Sequence, residues 1–396
     1  MTFDVSDVGS DTELEMRPPQ SEQPRLYEYA PLDTTKSQIR LLTLRPSTLD
    51  QAGRALPVSC ELEAFDVDDL PQYITLSYVW GPPQPTYAIL LNGRCFEVRE
   101  NLFNFLEMFR DNQHNTHHIW IDQLCIDQQS SIERNHQVSM MAQIYRRCQF
   151  VMAWLGNPPG SESDPITWTE ENTLSESSVR MILENQYFTR VWIIQEILLP
   201  PEIVLVHGRN WIAWPQFDLP ALKQLKAVGA ATTYFLIGAR RMKTVGSWTV
   251  NSLGYALFTF NKHQCQDARD RVYGLLSLAT SDEHVPEVDY RKSEFEVFVD
   301  AVTSISRNVV FRRHLTGIFA LALAMKLNVL QRPKGWFTDT SNPDKILHHE
   351  ECHLTPSIAE GSLKLEVKTG DEVYEAVFSN AETAVSAYSL YARMTA

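Results

Sequence analysis

The sequence predicts an α/β fold: a mostly parallel sheet flanked by helices, followed by a mainly helical C-terminal extension. Three observations lead there. Tyr73 to Trp80 (YITLSYVW) is almost continuously apolar, as suits a strand buried on both faces of a parallel sheet. From that run to Val206, short β-rich runs alternate with segments of helical period, the order expected of βαβ units. Past residue 215 the patterning is mainly helical and weaker, with one short strand expected at Ser362 to Val367.

The elements follow in order. Residues 1–25 are acidic, carry Pro18-Pro19 and lack periodicity, so a disordered leader is expected there. Ile39 to Leu44 and Val58 to Leu62 read as strands bounded by turn residues. After the Tyr73 strand, Gly81-Pro82-Pro83 breaks the chain, and Asn92-Gly93 between Leu91 and Cys95 signals a hairpin. Asn101 is expected to cap a helix running to Arg110, with Leu102, Phe105, Leu106 and Phe109 on one face. His118 to Asp122 reads as a strand. Ser130 with Glu133 fits a capping box that opens a helix carrying Val138, Met141, Tyr145 and Cys148. Phe150 to Leu155 returns as a strand, residues 157–175 as a polar excursion, and Ser178 to Asn185 as a helix. Phe188 to Leu199 reads as a further helix, stopped by Pro200-Pro201. Ile203 to Val206 is the last strand of the series. The expected organisation is therefore a leader at 1–25, an α/β domain at 26–210 and a mainly helical region at 211–396.

Composition narrows the function. With 44% hydrophobic and 21% charged residues, the chain should bury a globular core. Lys and Arg number 35 against 49 Asp and Glu, a net charge of −14, which disfavours a nucleic-acid backbone or an anionic membrane as the main partner. The first 25 residues, polar and acidic, do not read as a signal peptide. The apolar run Leu315 to Leu330 is broken by Lys326 and is short for a bilayer span. Six cysteines without a CxxC pair read as reduced thiols. The expectation is a soluble, cytoplasmic protein with neither a membrane nor a nucleic-acid partner.

Four blocks carry a family resemblance: Tyr73-Ile-Thr-Leu-Ser-Tyr-Val-Trp-Gly81; Ile119-Trp-Ile-Asp-Gln-Leu-Cys-Ile-Asp-Gln128 with Glu133-Arg134 and Trp154-Leu-Gly156; Arg190-Val-Trp-Ile-Ile-Gln-Glu196; and Asp267-Ala-Arg-Asp-Arg-Val-Tyr-Gly-Leu-Leu276. In this order and spacing the chain resembles the fungal heterokaryon-incompatibility (HET) domain over most of 27–280. Two features depart from that pattern. Asp127 stands where many relatives have asparagine, keeping an acceptor but losing a donor. The chain also ends soon after residue 373, which suggests a shortened C-terminal region.

The resemblance implies a distant relation to TIR domains, hence a TIR-like (flavodoxin-like) sheet, and some TIR domains cleave NAD. Those enzymes place a glutamate four residues after a tryptophan on a helix. Trp192 and Glu196 have that spacing, about one turn apart on one helix face. A carboxylate there would stabilise the oxocarbenium-like transition state of N-glycosidic cleavage. NAD would then be a substrate, with no cofactor required. Ser77, Tyr78, Trp80, Gly81, Asp122, Asp127 and Trp192 are the expected substrate-binding residues, in the crevice at the strand ends. The competing reading makes Glu196 a surface residue or the structural ion-pair partner of Arg190 or Arg134. Asp122 and Asp127 could equally serve as turn and capping residues. Arg134 and Gln137 would join a structural network, and Asp267, Arg269 and Asp270 cap a helix or form a salt-bridged lid.

Other chemistry lacks support. His114, His117 and His118, and the segment His348-His-Glu-Glu-Cys-His353, have no second ligand pair at zinc spacing. Cys125 has no evident histidine partner, and neither GxxxxGK[ST] nor GxGxxG occurs. The resemblance implies non-self recognition or regulated cell death, by NAD hydrolysis through Glu196. It is also compatible with a non-catalytic module that signals by self-association with a homo-oligomeric or regulatory partner, or with a HET protein repurposed within a metabolic gene cluster.

Overall fold

The computed structural model describes residues 26–380 except 114, 159–165, 169–172, 229–230, 245–251, 280–283, 308–309, 332–350, 360 and 370–371. The expected leader, His114, His348 to Glu350, Gly370-Asp371 and much of the expected excursion loop lie outside the described residues.

The main sheet has nine strands: β1 (Gln38–Leu44), β2 (Ser59–Asp66), β3 (Tyr73–Tyr78), β4 (Thr86–Leu91), β5 (Arg94–Arg99), β6 (His118–Trp120), β7 (Val151–Trp154), β8 (Ile203–His207) and β9 (Asn210–Ala213). Their spatial order is β5-β4-β2-β1-β6-β3-β7-β8-β9. The centre, β6-β3-β7-β8, is parallel throughout. All six β3 residues are buried, as its unbroken apolar run requires when strands flank it and helices cover it. On one side β1 pairs antiparallel with β6 and with β2 and β2 runs parallel to β4, and the antiparallel hairpins β4–β5 and β8–β9 form the edges. Asn92 and Gly93 turn the first hairpin with φ of 50° and 74°, the twist-compatible geometry that an Asn-Gly pair permits.

Helices α1 (Glu100–Phe109), α2 (Asp122–Cys125), α3 (Ser131–Arg147), α4 (Glu176–Leu183) and α5 (Ile193–Leu198) connect the strands. The four apolar residues expected on one face of α1 are its buried ones. Asn101 does not cap it. The helix starts one residue earlier, and the Asn101 amide donates to Val79 O at 2.6 Å and accepts from Trp154 Nε1 at 2.9 Å. Asn101 thereby ties together the turns after β3 and β7. Ser130 caps α3 by accepting from Glu133 N. The reciprocal half of the box is replaced, because the Glu133 carboxylate binds the buried Arg40 guanidinium at 2.5 Å and the Asp127 amide at 2.7 Å. The expected helix over Phe188 to Leu199 is divided. Gln186–Thr189 is a 3-10 turn, and α5 begins only at Ile193 with Trp192 as its cap.

Beyond β9 come α6 (Trp214–Val228), α7 (Ala231–Thr244), α8 (Leu253–Thr259), α9 (Asp270–Tyr273), α10 (Glu294–Ser306) and α11 (Arg312–Ala324), a helical stretch as expected. The chain then forms a second, antiparallel sheet that is larger than the single strand expected. It contains β10 (Val310–Phe311), β11 (Asn328–Gln331), β12 (Glu351–Ala359), β13 (Ser362–Thr369) and β14 (Glu372–Ser379) in the order β10-β12-β13-β14-β11. Cys352 and His353 lie in β12. One connected apolar core runs from Ile39 in β1 to Phe378 in β14.

A candidate active-site cleft at the ends of the parallel strands

A cleft of about 1130 Å³ opens where β3 and β6 end, the position at which open α/β sheets bind ligands. Gly81, with φ of 74°, turns the chain away from the end of β3 and helps to clear this space. Val79, Trp80, Gly81, Asp122, Trp192 and Glu196 line the near wall. The sequence reading named all of these except Val79.

Glu196 is 2% exposed and sits at the first turns of α5. Its Oε2 accepts a hydrogen bond from the Ser77 hydroxyl, which in turn lies 2.7 Å from the Tyr187 hydroxyl. Arg190 Nη1 approaches the same oxygen at 3.4 Å. Glu196 is therefore not a surface residue, and of the two arginines considered it pairs with Arg190. Burial pushes its carboxyl above the usual carboxylate range, against the pull of Arg190 and Ser77. Asp122 is likewise raised by burial, opposed by Arg190 and by a 2.7 Å hydrogen bond from Trp80 Nε1. Two acids with raised pKa thus share the field of one guanidinium, an arrangement typical of sites that hold or move protons.

The remaining expected residues stand behind the wall. Ser77 and Tyr78 are each 1% exposed. Ser77 positions Glu196, and the Tyr78 hydroxyl donates to Gln123 Oε1 at 3.1 Å. Asp127 is outside the cleft: its backbone amide binds Glu133 and its carboxylate accepts from Gln129 N at 3.0 Å. It acts as the turn residue of the competing reading, because the β6–α3 connection needs a local acceptor there. Gln137 likewise binds Gln38 O at 2.7 Å, within the core rather than the site.

The far wall comes from residues 264–270, Tyr290 and Glu294. The sequence reading raised a salt-bridged lid at Asp267, Arg269 and Asp270 as an alternative to helix capping, without placing it on this cleft. Gln264 pairs with the backbone on either side of Arg190, through Val191 N to Gln264 O at 2.8 Å and Gln264 N to Thr189 O at 2.6 Å. Trp192 Nε1 donates to Asp270 Oδ2 at 3.0 Å, and Tyr290 OH donates to Asp270 Oδ1 at 2.6 Å. Burial raises Asp270 to about 6 despite both bonds. Arg269 grips Asp267 with two nitrogens, at 2.9 and 2.7 Å, and reaches Tyr290 O and Lys292 O. The Asp267 block is therefore a salt-bridged wall against the domain core as well as a helix start. Its sequence was conspicuous, but its docking onto Trp192 is a long-range contact with no local signal. Among the described residues no group of His, Cys, Asp and Glu is placed to hold a metal ion, and no helix is long and apolar enough to cross a membrane.

Residues 73–196 match the family model described as "Heterokaryon incompatibility protein (HET)". The chain is 30% identical to heterokaryon incompatibility protein 6, OR allele, of Neurospora crassa, across 67% of this chain and 51% of that protein. It is 24% identical to vegetative incompatibility protein HET-E-1 of Podospora anserina, across 39% of this chain and 11% of that protein. The chain thus spans about half the length of the first relative and a smaller share of the second. No solved structure matches it. Through residues 73–196, the segment that builds the near wall of the cleft, the chain belongs to the heterokaryon-incompatibility (HET) family.

Proposed function

We propose that this chain acts in fungal non-self recognition or regulated cell death, and that its effector step is hydrolysis of NAD at the cleft. The supporting observation is Glu196: a buried carboxylate with a raised pKa on the wall of a cleft large enough for a dinucleotide. In the reaction, the bond between ribose C1′ and the nicotinamide nitrogen breaks. Nicotinamide leaves with the bonding electrons, and water adds to C1′ with loss of a proton. The Glu196 carboxylate stabilises the positive charge that builds on the sugar. Ser77 and Arg190 hold that carboxylate in place, while Trp80 and Trp192 supply aromatic surface.

The ionised acid is the active form, so nicotinamide release rises as pH passes upward through the elevated Glu196 pKa. The test incubates purified full-length protein with NAD and follows nicotinamide. Glu196→Gln, which keeps shape but not charge, should lower the rate by about 100-fold or more. Release by the wild-type protein equal to buffer at high protein concentration would overturn the catalytic reading. The Arg190–Glu196 ion pair favours a second reading, a contact module without catalysis. Expression toxicity that survives Glu196→Gln but is lost when self-association is disrupted would select it.

A further inference from the structure

We propose that Arg134, with Arg99 across the cleft wall, forms an anion subsite that takes the phosphate groups of a nucleotide; this rests on the reading of the cleft as a nucleotide site. The arginines lining the cleft are of two kinds. Arg190 is committed to Glu196, and Arg269 to Asp267 and two backbone carbonyls. Arg134 and Arg99 are largely uncommitted. The Arg134 guanidinium lies 4.0 Å over the Tyr290 ring, and among the described residues it makes neither an ion pair nor a hydrogen bond. Its Nε is buried without an acceptor. Asp267 and Asp270 are near enough to feel its charge. Yet both Asp267 oxygens are held by Arg269, and those of Asp270 by Tyr290 and Trp192.

Arg99 gives one nitrogen to Gly81 O at 2.8 Å and lies 5.1 Å over the Trp80 ring. The aromatic contacts hold both guanidinium groups against the wall and leave most of their five donors each for a ligand. A flat guanidinium held in advance, with its donors free in a half-enclosed cleft, matches phosphate oxygens in both charge and geometry. Arg134 stands on the far wall beside Asp267 and Asp270, and Arg99 stands over Trp80, whose indole binds Asp122; all of them line one cleft with Glu196. A ligand that carries both ribose hydroxyls and phosphates meets the carboxylates with the first and the free guanidinium donors with the second.

The test measures binding rather than turnover, using quenching of cleft tryptophan fluorescence in the full-length protein. ADP-ribose should bind at least about tenfold more tightly than adenosine, which lacks the diphosphate. Inorganic pyrophosphate should displace it. Arg134→Gln should weaken ADP-ribose about tenfold and leave adenosine unchanged. Equal affinities for ADP-ribose and adenosine in the wild-type protein, or no detectable binding of either ADP-ribose or pyrophosphate, would overturn the subsite without recourse to any variant. Failure of NAD hydrolysis is read separately, as absent nicotinamide release by a protein that still binds ADP-ribose.

Discussion

Replacing Asp270 with asparagine should remove a pH dependence of stability that the wild-type protein shows between about pH 4 and pH 6. The folded carboxyl sits at about 6 against an ordinary 3.8, because burial outweighs the hydrogen bonds from Tyr290 and Trp192. The folded state therefore binds the Asp270 proton more tightly than the unfolded chain. Its contribution to stability is fully present below about pH 4 and is lost as pH rises through 6. A rise of about two pH units corresponds to about 3 kcal/mol, or about 2 kcal/mol after allowance for the partial exposure of this residue. Urea unfolding of full-length wild type and Asp270→Asn at half-unit intervals from pH 4 to 7.5 measures it. The difference between the two proteins isolates Asp270 from every other titrating group. That difference should fall by about 2–3 kcal/mol between pH 4 and 6.5 and stay flat above. Tyr290→Phe, which deletes one bond to the carboxylate, should raise the carboxyl further and move the window to higher pH. Parallel profiles for wild type and Asp270→Asn would show that Asp270 is not enclosed between Trp192 and Tyr290, and that the far wall does not dock as described.

Substitutions at three further positions probe the packing of the chain. Arg40→Ala strands the Glu133 carboxylate, since the pair is nearly inaccessible at 4% and 7% side-chain exposure. It should cost about 3–5 kcal/mol in urea unfolding, with Arg40→Lys recovering only part because it cannot repeat the two-nitrogen grip. Gly317→Ala would place a Cβ 2.8 Å from Phe258 N and 3.0 Å from its Cα where α11 meets α8, and backbone cannot yield cheaply. A loss of about 1–3 kcal/mol is expected by the same assay, whereas Gly238→Ala, whose Cβ meets only Leu222 at 3.9 Å, should be neutral or slightly stabilising.

Local chemistry made much of the α/β domain legible. The apolar run at Tyr73 could be satisfied only in the middle of a sheet, and Asn92-Gly93 could turn only one way. Trp192 and Glu196 were recognisable as neighbours because one helical turn separates them, although the turn begins at the tryptophan rather than before it. Asn101 and Glu133 looked like capping residues. Each found a stronger long-range partner, Trp154 for one and Arg40 for the other, and tertiary hydrogen bonds outbid a local preference worth about 1 kcal/mol. The antiparallel sheet of β10 to β14 was nearly invisible, since strand character depends on partners far along the chain more than on intrinsic preference.

The sequence by itself therefore determined the family, the parallel centre of the sheet and the residues of one wall of the cleft, because those depend on periodicity, turn chemistry and short spacings. Only the tertiary structure decided that Glu196 is enclosed and held by Ser77 and Arg190, that Asp127 stands outside the cleft, and that a second wall closes over the first. The reason is sequence distance. Asp270 meets Trp192 across 78 residues and Ser77 meets Glu196 across 119. Such contacts arise when buried polar groups must find partners within a packed core, and that constraint acts only once the chain has folded.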